Sequence, residues 1–161
     1  MGARNDAELR ALLEPALQKA VDYTADKILE ENYDIIQEVV YGAGSPNVYG
    51  RTYTFGEAWE ATSGGGGGIS SEFKWAPEKL GYHPSVFTGE DIRQGLADII
   101  YEGMAGHVFG TGFWTTKRNA FKQLQKVLGK NKLRQYFEAG MTAAGLRWKR
   151  HTSGIGLDKS Q

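Results

Sequence analysis

The chain has 161 residues, of which 40% are hydrophobic and 24% charged, enough apolar material for one core-bearing domain and too much for a disordered chain. It has no cysteine, which excludes disulfides, thiolate metal sites and thiol nucleophiles together. Its 19 basic and 19 acidic side chains cancel in sum, so the chain as a whole is not a polycation or a polyanion.

In chain order, the opening MGARNDAELR is polar and lacks the apolar stretch of an export signal. No apolar run approaches the ~20 residues that span a bilayer, so a soluble protein made in a cytoplasm, without membrane contact, is expected. Asp6 is placed to cap a first helix, whose apolar residues recur at Leu9, Leu13, Leu17, Ile28, Ile35 and Val39. Pro15 either kinks that helix or opens its main part, because it has no backbone N–H to donate. The stretch YGAGSPNVYG then ends it.

Residues 49–62 are rich in Tyr, Thr, Phe and Trp and favour extended structure, with a helical turn over 57–61 as the alternative. Five glycines, Gly64 to Gly68, follow. After them Ile69, Ser71, Phe73 and Trp75 alternate with Ser70, Glu72, Lys74 and Ala76, the period of a strand. Strand, glycine tip and strand make a long antiparallel hairpin.

The segment GYHPSVFTG reads as a loop, with Pro84 holding His83 out of helical geometry. Thr88 is then expected to cap a helix with Glu90 and Asp91 in its first turn and Ile92, Leu96, Ile99 and Ile100 on its apolar side, which Gly103 ends or crowds. GHVFGTGFW is a second glycine-punctuated loop. Thr115 or Thr116 caps a further helix with Phe121, Leu124 and Leu128 on one face and Gly129 as its stop. Leu133, Tyr136, Phe137 and Met141 give one more, ending near Gly145. Residues 1–151 are read as a single α+β domain and 152–161, nearly without apolar side chains, as a flexible tail. The elements expected, in chain order, are an N-terminal helix, the glycine-tipped hairpin and C-terminal helices.

The chemistry-bearing patterns are absent. A phosphate loop needs GxxxxGK[ST] between a strand and a helix, whereas Gly68 is followed by Ile69, Ser70 and an alternating strand. GHVFGTG lacks the glycine order of a dinucleotide site. His83, His107 and His151 are far apart, and none has a partner at metal-ligand spacing on one element. Asp91, Asp98 and Glu102 would share one helix face, able to hold Mg²⁺ or to dock a basic neighbour, but such a face is more commonly a solvated one. No catalytic residue, cofactor or metal is expected, and the chain is not read as an enzyme.

Two features carry function instead. Tyr49, Tyr53, Phe55 and Trp59 beside Arg51 could stack nucleobases, yet with one arginine nearby they read better as packing and interface anchors. The charge is also polarised. Residues 1–40 hold four basic against nine acidic side chains, residues 41–114 four against eight, and residues 115–161 eleven against two. Such a layout either neutralises two packed faces of one molecule, meets a polyanion, or joins copies head to tail. The basic residues, with Lys122 and Lys126 foremost, have two candidate acidic targets. One is the first helix, with Glu30, Glu31, Asp34 and Glu38; the other holds Asp91, Asp98 and Glu102. The expected interface comprises Tyr49, Arg51, Trp59, Gly66 at the hairpin tip, Lys122, Lys126, Asp91 and Asp98.

The order of segments carries a resemblance. An N-terminal helix is followed by NVYGRTYTFGEAWEA, the glycine tip, SSEFKWAPEKL, HPSVFTGEDIRQGLADIIYEGMAGHVFG and TTKRNAFKQLQKVLGKNKLRQYFEAGMTAAGL. From about Val48 to Leu146 this resembles the tail-completion, or head–tail joining, family of minor structural proteins in the neck of long non-contractile-tailed bacteriophages. Its most specific parts are Tyr49–Arg51–Thr52 and the IIYEGMAGH segment ending at His107; the glycine run and the aromatic spacing after Thr52 depart from the pattern. The resemblance implies a non-enzymatic α+β virion protein, an N-terminal helix packed on a small antiparallel sheet and followed by C-terminal helices, assembled in the host cytoplasm. It implies a six-fold homo-oligomeric ring between the portal or adaptor and the tail, touching neck, tail-terminator or tail-tube proteins, with DNA in the lumen as a candidate contact. The alternative reading is a nucleic-acid-binding protein that uses the basic C-terminal helices.

Overall fold

The computed structural model describes residues 5–42, 54–64, 68–81, 89–103 and 116–149. Helix α1, Asp6–Ile36, runs 31 residues, about 46 Å at the usual rise. Its cap is Asn5 rather than Asp6: the extended Asn5 accepts from the Glu8 backbone N–H at 2.9 Å, which leaves Asp6 as the first helical residue. Pro15 lies inside α1 without ending it. Every residue from Asn5 to Pro15 is exposed, so the Ala11 carbonyl that Pro15 cannot serve faces water instead. A π-helical turn, Gln37–Tyr41, closes the helix, with the Gly42 N–H donating to the Gln37 carbonyl at 2.9 Å.

Among the described residues the sheet has two strands, β1 (Trp59–Ser63) and β2 (Ser71–Trp75), paired antiparallel with Trp59 opposite Trp75 and Ala61 opposite Phe73. Glu60 lies directly opposite Lys74 and ion-pairs with it at 3.2 Å on the outer face. The paired strands are five residues each, so the extended signal upstream does not lengthen the hairpin among the described residues. Thr54–Glu57 is instead a 3₁₀ turn, anchored where the Phe55 N–H donates to the Tyr41 hydroxyl at 3.0 Å. The inward face of the hairpin builds an aromatic cluster: Trp59 stacks on Phe73 and Tyr101, meets Trp75 edge-on, and Phe55 bridges Trp75 and Tyr101.

The helix expected to start at Thr88 starts later. Arg93–Gly95 forms a 3₁₀ turn and α2 spans only Leu96–Glu102. The reason is local: Asp91 accepts from both the backbone N–H and the guanidinium of Arg93, an Asx-type turn that competes with a first helical turn. Gly103, at φ +73°, ends α2 as expected. Thr88 itself lies outside the described residues.

Helix α3, Ala120–Ala143, is capped by Asn119, whose side chain accepts from the Lys122 N–H at 2.8 Å, and not by Thr115 or Thr116. Gly129 (φ 40°, ψ −173°) breaks its helical geometry, so the two helices read from the sequence join across a kink. The second half ends before Gly145, at φ +77°. Helices α1 and α3 pack antiparallel, since Lys132 meets Glu31 while Gly140 meets Ala20. Ile35, Ile36, Val40, Phe55, Trp59, Leu80, Leu96, Ile100 and Leu124 make one core beneath them. The whole is α+β, mostly helical, with the small sheet held against α1.

Candidate functional site

The polarised charge is partly spent inside the monomer. Glu31 of α1 accepts from the Tyr136 hydroxyl and from the Lys132 ammonium of α3, each at 2.6 Å. The bonds from Lys132 and Tyr136 hold the Glu31 carboxyl below its ordinary value, against the opposing effect of partial burial, and Glu31 in turn raises Lys132. Glu102 is joined to Lys117 at 3.4 Å and to the Asn119 amide at 2.8 Å, which ties the end of α2 to the start of α3. Two acids proposed as targets for a neighbour are therefore matched by basic residues of their own chain.

A second cross-link fixes the hairpin. Gln18 of α1 donates to the Ser70 carbonyl at 2.7 Å and accepts from the Ser70 N–H at 3.2 Å, pairing with it as another backbone would. Beside it, Asp22 accepts from the Ser71 hydroxyl and from Gln18. Burial pushes the Asp22 carboxyl up, but hydrogen bonds from Ser71, Gln18 and Ser63 outweigh it and the net shift is downward. The Gly64 N–H donates to the Ser70 carbonyl at 2.7 Å, one position beyond the Ser63–Ser71 pair.

The expected interface residues divide. Trp59 is 8% exposed and serves the monomer's core through its ring contacts. Lys122, Lys126 and Asp98 are exposed and make no ion pair among the described residues. Asp91 is bound to Arg93 outside any helix, so Asp91, Asp98 and Glu102 do not share a helix face. No group of three metal-binding side chains occurs among the described residues. Tyr49, Arg51, Gly66, the three histidines and the GHVFGTGFW loop lie outside them. Among the described residues no helix is long and apolar enough to cross a membrane.

Three features were not anticipated. Leu9, Leu12 and Leu13 stand exposed on the first turns of α1, with Leu12 at 64%. Asn32 is wholly buried in α1 with neither amide atom hydrogen-bonded among the described residues, and the Trp59 indole N–H and Tyr101 hydroxyl are likewise buried without partners among them. An open groove of about 530 Å³ runs between α1 and the 54–59 segment, edged by Tyr33, Asp34, Glu57 and Lys79. Leu9 and Leu13 are legible as part of a helical stripe and Leu12 is not; nothing in sequence spacing marks an unbonded asparagine.

No known family matches the chain, and no curated protein or solved structure is detectably similar to it.

Proposed function

We propose that this protein is a virion structural component that forms a ring in the neck of a long-tailed phage and joins or completes the tail at the head–tail interface. The order of elements supports the reading: a long helix, a glycine-tipped hairpin docked on it, a short helix and a basic helical pair, in the arrangement the resemblance implies. The observation that carries it is the charge left over after folding. Glu31 and Glu102 use Lys132 and Lys117, while the exposed Lys122 and Lys126 make no ion pair among the described residues. Unmatched like charge on one face is suited to steering a subunit onto a complementary surface. The protein is not an enzyme on this reading and needs no cofactor. It works in the virion after assembly in the host cytoplasm, beside tail-terminator or tail-tube proteins.

The test is co-sedimentation of the purified chain with isolated tails over a salt series. Binding to tails that weakens from ~0.1 M to ~1 M salt, as the Debye length falls from ~10 Å to ~3 Å, is the expected result. No association at any salt overturns it.

A second reading rests on α3 alone, which has no acidic residue from Ala120 to Phe137 and five basic ones. A nucleic-acid-binding protein would use that face, and tight, salt-sensitive DNA binding by a monomer would favour it.

A further inference from the structure

We infer that the projecting first turns of α1 dock onto the outer face of α3 of a second copy of this chain. The contact rests on the self-assembling part of the reading above, and not on a place in a virion.

Helix α1 outruns what supports it. Its contacts with α3 reach Ala20, which meets Gly140, and the hairpin reaches it at Gln18 and Asp22. Residues 5–15, N-terminal to these supports, are all exposed. An isolated helix shorter than ~12–15 residues is marginal in water, and this one carries Leu9, Leu12 and Leu13 uncovered. Leu9 and Leu13 are four residues apart and Leu12 flanks them, so the three form one apolar strip. Asp6 and Glu8 flank the strip, against Arg10 among these turns and Arg4 just before them.

The outer face of α3 has the complementary character. Phe121 (40% exposed), Lys122, Gln125 and Lys126 form two adjacent rows of i, i+4 neighbours on its first half. Beyond the Gly129 kink, Lys130, exposed Leu133 and Arg134 extend the same apolar and basic mixture. A leucine strip flanked by Asp6 and Glu8 therefore fits a basic face with its own exposed apolar side chains. Exposed Phe121 and Leu133 favour a protein occupant over a nucleic acid.

A single chain cannot make this contact. Because α1 and α3 are antiparallel, the leucines lie beyond the Gly140 end of α3, while Phe121 and Lys122 lie at its opposite end. At ~1.5 Å per residue, Leu13 is roughly 40 Å along α1 from the level of those residues. The occupant is another copy. The two surfaces differ, so the contact is heterologous and propagates to a ring or a filament.

The test uses the full chain in sedimentation velocity. Wild type should self-associate with concentration. A Leu9→Ser/Leu12→Ser/Leu13→Ser variant and a Lys122→Glu/Lys126→Glu variant should each weaken association at least tenfold, with unchanged helical circular dichroism. Each variant keeps one intact surface, so mixing them should restore a 1:1 complex and nothing longer. As a check independent of variant folding, the absence of native cysteine lets Leu12→Cys/Phe121→Cys report alone: mild oxidation should give a ladder of disulfide-linked oligomers. Wild-type chain that stays monomeric, variants that associate as wild type does, a cysteine variant without a ladder, or a monomer whose α3 binds duplex DNA instead would overturn the inference. Assembly without tail binding would sink the neck reading alone. Tail-bound rings that survive the serine variants would sink this contact alone.

Discussion

Gly140 of α3 lies against the backbone of Ala20 of α1, so closely that a β-carbon on Gly140 would come within 2.5 Å of the Ala20 carbonyl oxygen. Both residues are buried, and this approach lets the second half of α3 seat on α1. Gly140→Ala should therefore lower stability, although alanine is the better helix former by ~1 kcal/mol. Overpacking of this kind costs about 1–3 kcal/mol, and here the neighbour is backbone that cannot turn aside. Urea denaturation should show a lower midpoint for Gly140→Ala; an unchanged or higher midpoint would mean the helices do not approach so closely.

Asn32 gives the opposite expectation. Its fully buried amide, without hydrogen bonds among the described residues, carries a desolvation cost that a hydrophobic side chain of similar size avoids. Asn32→Leu should raise the stability of the monomer by about 1–3 kcal/mol. Equilibrium unfolding of the two proteins decides it, and a destabilised leucine variant would show that Asn32 has a partner in solution.

How much of this was legible beforehand depends on the range of the interaction that decides each feature. The hairpin and its inward aromatics followed from alternation at Ile69–Ala76, and Gly103, Gly129 and Gly145 marked the helix ends or breaks, because these signals are local. The start of α2 is not legible, because Asp91 looks like a first-turn acid and its turn with Arg93 is a competing local choice that composition does not rank. The Glu31–Lys132–Tyr136 link joins residues about a hundred positions apart, and only the antiparallel seating of α3 on α1 creates it. The charge polarity was visible; which charges folding would use was not.

The same link sets an acid dependence. Glu31 and Asp22 both have folded-state carboxyls below their ordinary values, 4.5 and 3.8. A depressed acid contributes stability that is present above its unfolded value and lost as the pH falls through its folded one. Stability should therefore decline as the pH is lowered through these values and below. In Glu31→Gln the decline should be shallower, since one of the two carboxylates is gone. A variant with the wild-type pH profile would show that the contact between α1 and α3 at Glu31 is not made in solution.

The glycine run should tolerate shortening. The turn is closed by the Gly64–Ser70 hydrogen bond and fixed to α1 by Gln18, outside the run's centre. Loop-closure entropy changes by only ~0.6 kcal/mol per doubling of loop length. Removing two of the five glycines should leave the melting temperature within a few degrees. Added nucleotide should not raise it, since the flanking pattern is not that of a phosphate loop; a nucleotide-dependent rise would contradict that reading.

The proposal of a neck ring is tested most directly by negative-stain electron microscopy of the purified protein, alone and after incubation with isolated phage tails. The account predicts closed rings of uniform diameter, six-fold by the resemblance, seated at the head-proximal end of the tails. Particles that remain monomeric and leave the tail ends bare, or that coat DNA instead, would contradict it.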